Sequence, residues 1–186
     1  RAAKEPTAEN HIALQEAYSR LGQTDVADKL LGTMIAAHKD HADRPDWRVT
    51  KATSMLNSIK SREEAVTKFG EAIDALTALS KTAEEEKDQG TQLASRVRLG
   101  QMLQQSHGLL SRGPEAKPHF DYVLENGKDT KYGAGALMGL ANVHFAAKEL
   151  EEALTYLERI VAEYPDSEEA KIAPRGIANV KRMLGK

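Results

Sequence analysis

Apolar residues recur along this chain at spacings of three and four, in paired stretches separated by short polar interruptions. The stretch AKELEEALTYLERIVAEYPDSEEA, residues 147–170, sets the pattern: Ala153, Leu157 and Ile160 share one helical face, and Pro165 closes the run. The same order of a small residue, then others four and seven positions on, recurs with Ala27, Leu31 and Met34, with Ala65, Phe69 and Ala72, and with Ala116, Phe120 and Val123. A second stripe precedes each: Leu14 and Tyr18, Ala52 and Leu56, Leu103 and His107, Leu140 and His144. Turn-forming stretches separate the two stripes at Gly22–Asp25, Lys60–Arg62, Ser111–Pro114 and Lys148–Glu149.

This periodicity predicts helix, short turn, helix, with both helices presenting one apolar stripe. The alanine has a packing reason. Paired helices lie about 8–10 Å apart, and a small side chain at the crossing allows that approach while the larger residue one turn on fills the groove beside it. Pro165 ends the second helix of its pair because proline cannot continue the hydrogen-bond ladder.

With those residues and turns, the chain resembles the tetratricopeptide repeat family, whose helix pairs run about 34 residues. Residues 134–167 carry the likeness best, through Leu137, Leu140, Ala141, Ala153, Leu157 and Pro165. Residues 8–41 follow with Leu14, Tyr18, Gly22, Ala27 and Leu31, while 46–79 and 97–130 are more degenerate. The resemblance implies a single all-α domain: a right-handed superhelical stack of helix-turn-helix hairpins. The stretch 80–96 departs from it as an insertion. Thr82 with Glu85 forms a capping box for a helix starting near Ala83; alternatively the preceding helix runs on through Glu84–Glu86 and breaks at Gly90. Asp166 with Glu169 predicts a further helix over 168–184, kinked or restarted at Pro174, that caps the exposed edge of the last hairpin.

In stacked hairpins the first helix of each pair lines the concave wall. The residues expected there are Trp47, Thr50, Ser54 and Asn57 in the second unit, Gln101 and Gln105 in the third, and Met138, Asn142 and Phe145 in the fourth. Ile12, Glu16 and Ser19 precede this row, and Asn179 extends it. Amides offer both donor and acceptor to an extended peptide backbone, and Trp47 and Phe145 offer apolar anchors. Family members that clamp acidic chaperone tails carry lysines on this wall, whereas here Glu16, Ser54 and Gln105 stand in the row.

Composition narrows the field. The 186 residues are 40% hydrophobic and 29% charged with a net charge of -2, which suits a folded chain and gives no electrostatic footprint for nucleic acid. Absence of cysteine excludes thiolate chemistry and disulfides. His38 and His41, beside Asp40 and Asp43, are the one metal-like cluster, but no helix-borne glutamate base follows. His107 and His144 are expected in the core. No phosphate loop, nucleophile elbow or H-E-x-x-H pair is present.

The reading is therefore a non-catalytic scaffold, needing no cofactor or metal, that holds a protein segment in its groove. The alternative is a self-assembling structural protein, a homo-oligomer through its repeat edges; a metal-dependent hydrolase ranks third. The start at Arg1 fits a chain whose signal or anchor was removed. The turn sequence AEYPDSEEAKIA suggests a bacterial periplasmic or membrane-attached setting, with cytoplasm as the alternative.

Overall fold

In the computed structural model, which describes residues 7–185, all regular elements are helical. The first hairpin joins α1 (Ala8–Arg20) to α2 (Thr24–Ala37) through Gly22, whose φ of +72° is open to glycine without steric cost. Thr7 caps α1 by accepting a hydrogen bond from the Asn10 N–H. Next come α3 (Arg44–Ala52), a 3-10 turn (Ser54–Ser58) and the long α4 (Arg62–Glu85), which Ser61 caps through the Glu64 N–H.

Residues 80–96 form no separate linker. Helix α4 runs unbroken to Glu85, the chain reverses at Lys87, and α5 (Gln89–Gln105) begins directly after. The turn sits three residues before Gly90, and the Thr82 capping box is not used. Asp88 caps α5 instead, accepting from the Thr91 N–H at 2.9 Å and from its hydroxyl at 2.7 Å. Helices α4 and α5 therefore pack directly against each other.

A short α6 (His107–Leu110) and a 3-10 turn (Gly113–Ala116) lead to α7 (Lys117–Gly127), followed by α8 (Gly133–Ala146), α9 (Leu150–Glu163) and α10 (Glu168–Met183). Ser167, rather than Asp166, caps α10 through the Ala170 N–H. Pro174 lies inside α10 as one continuous helix, without a restart. Successive first helices touch one another, α3 on α5, α5 on α8 and α8 on α10. That pattern is a helical-repeat solenoid.

Three apolar clusters hold the stack. The largest gathers Ile73, Leu76, Leu93, Leu103, Phe120 and Leu140 from α4, α5, α7 and α8. Leu137, Leu157, Ile160 and Val180 fill the space among α8, α9 and α10. Ala8, Leu31, Met34 and Trp47 join α1, α2 and α3. The predicted stripes hold in α2, in α7 with the Ala116 that precedes it, and in α9, where Ala27, Leu31, Met34, Ala116, Phe120, Val123, Ala153, Leu157 and Ile160 are all buried. Leu14 does not follow. Helix α1 buries Ala8 and His11 instead, because it rests mainly on α2 and turns Leu14 outward.

Candidate functional site

Helices α3, α5 and α8 lie side by side along one face, and concavities open between neighbours. The largest, about 1030 Å³, runs between α5 and α8 and is lined by Gln101, Gln105, Asn142, His107, His144 and Pro114 among others. A second, about 350 Å³, lies between α3 and α5 over Thr50, Thr53, Ser54, Asn57 and Arg98. A third, about 340 Å³, separates α1 and α2 from α3 and shares Thr50, Ser54 and Asn57 with the second. Gln15, Ser19 and Asp28 complete its wall.

Six of the nine residues expected on the groove thus come together in two sets: Thr50, Ser54 and Asn57, and Gln101, Gln105 and Asn142. Three sit elsewhere. Trp47 points from α3 toward α2, where it is 8% exposed among Leu31 and Met34 and stacks on His41 at 4.6 Å between ring centroids. An indole buried in this way holds the first hairpin to the second instead of anchoring a ligand. Met138 packs against the α9–α10 cluster. Phe145 is exposed and lies outside all three linings. Of the flanking positions, Ser19 lines the third concavity, Ile12 packs beside Trp47, Glu16 pairs with Arg20, and Asn179 accepts from Arg182.

Local hydrogen bonds fix what this wall can offer. The hydroxyls of Thr50, Thr53 and Ser54 donate back to the carbonyls of Asp46, Val49 and Lys51, so they present acceptor lone pairs outward. Gln104 Nε2 donates to the Gly139 carbonyl at 2.8 Å, tying α5 to α8 beneath the largest concavity and leaving Gln101 and Gln105 to face it.

A polar clasp crosses from α3 to the start of α8. Lys131 Nζ lies 3.0 Å from Asp43 Oδ1 and 2.5 Å from Asp46 Oδ2, and the Tyr132 hydroxyl donates to Asp46 at 3.3 Å. Burial, reinforced by the Asp46 and Asp43 carboxylates, pushes the Tyr132 phenol well above its ordinary range, so it stays a donor. Next to it, Asp88 accepts from Arg48 at 2.9 Å and Arg44 at 3.2 Å. Burial alone would raise the Asp88 carboxyl; hydrogen bonds from Thr91 and Arg48 outweigh it and hold the group below the usual carboxylate range.

The histidines take structural places. His11 Nδ1 and His38 Nε2 are 3.0 Å apart, so each imidazole is engaged by the other. His107, expected in the core, is exposed; α5 ends at Gln105, and the His107 ring folds over to accept the Gly113 N–H at 3.1 Å. His144 is largely buried, bonded to Glu149 Oε2 at 2.6 Å and stacked on Tyr156. Among the described residues no group of three His, Asp or Glu side chains converges on one point as a metal site would require. Nor is any helix among them long and apolar enough to cross a membrane.

Arg98, Thr53, Gln104 and Pro114 line the groove without having been expected there. The signal for Arg98 was available, since it lies three and seven residues before Gln101 and Gln105 on the same helical stripe. A family model described as tetratricopeptide repeat matches residues 109–173, which span α7, α8, α9 and the first turns of α10. No curated protein matches the sequence.

Proposed function

We propose that this chain holds an extended segment of a protein partner along the face of α3, α5 and α8, a reading supported by the match of residues 109–173 to the tetratricopeptide repeat, whose repeats are generally protein-interaction modules and typically non-catalytic. The observation that carries this reading is the convergence of Gln101, Gln105 and Asn142 on a concavity of about 1030 Å³. Exposed amides on a rigid helical wall offer paired donors and acceptors to a peptide backbone at little cost in ordering the receptor. Buried Phe120 and the Gln104–Gly139 bond hold that wall from behind.

Site-specific photocrosslinking tests the proposal. A benzophenone side chain at Gln105 should trap a defined partner. The same group at Val161, exposed on α9, should not. Equal trapping from both positions would move the interaction off the groove.

A further inference from the structure

One cation on the groove wall stands without a counter-charge. Arg98 lines the concavity between α3 and α5, and among the described residues it makes no ion pair or hydrogen bond. Its surroundings disfavour that state. Burial pulls the guanidinium below its ordinary range, and no carboxylate opposes the shift. The neighbouring arginines contrast with it, since Arg44 and Arg48 both rest on Asp88. A partly desolvated charge is ordinarily paired, because losing water costs more than an unpaired guanidinium recovers.

The lining narrows what can supply the missing charge. Asp46 faces the same concavity, but Lys131 and the Tyr132 hydroxyl occupy its carboxylate. The hydroxyls of Thr50, Thr53 and Ser54 spend their hydrogens on backbone carbonyls. The donors left to the lining are the Arg98 fork and the Asn57 amide, a pair suited to a planar, two-oxygen anion. Position along the groove settles which carboxylate fits. Gln101 and Gln105 continue the α5 stripe on one side of Arg98, and Gln15 and Ser19 continue the wall on the other. A chain terminus at Arg98 would leave one half of the groove empty, whereas a side-chain carboxylate lets the segment pass through.

We propose that Arg98, with Asn57, is a specificity subsite for an aspartate or glutamate side chain in the interior of the bound segment. This rests on the groove reading above and adds a sequence requirement to it.

Selection from a display library of random twelve-residue segments, with the segment's C-terminus fused so that no free terminal carboxylate is offered, tests the proposal. Wild-type protein should enrich segments with an acidic residue at one fixed position. Replacing that residue by its amide should weaken binding by about 10- to 100-fold, as expected for a charge-assisted hydrogen bond. R98Q should lose the preference for the acid while keeping its melting temperature, because no internal partner is abandoned; R98K should retain the preference in part. If the selected segments carry no fixed acid yet depend on Gln105 and Asn142, the subsite is overturned and the groove stands. If the selected segments bind a Q105A/N142A variant undiminished, both fail. A melting temperature that falls by many degrees in R98Q would make Arg98 a structural residue and overturn the subsite as well.

Discussion

The Phe120 ring lies directly against the backbone of Gly139: a Cβ added at Gly139 would sit 2.3 Å from ring carbons. Gly100 faces the same ring from α5, with an added Cβ at 2.6 Å. One aromatic side chain thus fills the space between α5, α7 and α8, directly behind the largest groove concavity. Gly139→Ala is expected to destabilise the fold by about 1–3 kcal/mol through overpacking, and Phe120→Ala by about 3–5 kcal/mol through the cavity left behind. Gly70 is the control, since nothing lies within 4 Å of its added Cβ. Gly70→Ala should stabilise the long α4 by about 0.5–1 kcal/mol. Urea melts of the three variants check the signs.

Asp88 does two jobs at one turn, capping α5 and pairing with Arg44 and Arg48 of α3. Asp88→Ala removes both and leaves Arg48, 11% exposed, with Glu86 alone. A loss of about 2–4 kcal/mol is expected. Asp88→Asn keeps the cap and should recover part of that loss. A melting temperature for the alanine variant equal to wild type would contradict the shared role.

Trp47 is the sole tryptophan, which makes the first hairpin observable by itself. Its emission should be blue-shifted in the native protein and should report the separation of α1 and α2 from α3. Trp47→Ala should cost about 3–5 kcal/mol of stability in that region. Binding at Gln105 and Asn142 should survive wherever the rest of the stack remains folded.

His119 introduces a pH dependence. Its Nδ1 is buried without a hydrogen-bond partner, and burial, aided by the nearby Arg96 charge, holds its pKa below the ordinary histidine value. The sign follows from linkage. A depressed folded pKa means that the unfolded chain binds the proton more readily, so the full contribution is present above about pH 6.5 and is lost as pH falls toward the folded value. Denaturant melts at pH 7.5 and 5.5 should show wild type losing more stability than His119→Phe, whose buried ring has nothing to titrate. Equal losses would remove His119 as a cause.

The sequence made the second helices more legible than the first. In α2, α7 and α9 the alanine-marked stripe coincides with the buried face, because each is covered on that face by neighbouring helices. Helix α1 lacks such cover, so Leu14 points outward and the register read from it does not hold. Trp47 shows the limit at the site: in sequence it shares the three-and-four spacing of Thr50, Ser54 and Asn57, but its indole packs among Leu31 and Met34 of α2 instead of facing the groove. The stretch 80–96 was legible only as a choice between two helices, since the reversal at Lys87 uses a positive φ that no glycine or proline advertises. Arg98 shares the helical stripe of Gln101 and Gln105 in sequence, but only the packing of α3 against α5 puts its guanidinium in a concavity.

Parallel affinity capture and thermal denaturation of wild-type and Q105A/N142A protein test the central claim most directly. The two amides face the concavity and carry no packing in the core, so the double variant should melt within about a degree of wild type, as surface substitutions ordinarily do. It should also lose the partners that the wild-type protein retains. A variant with an unchanged melt that keeps every partner would contradict a binding face on α5 and α8.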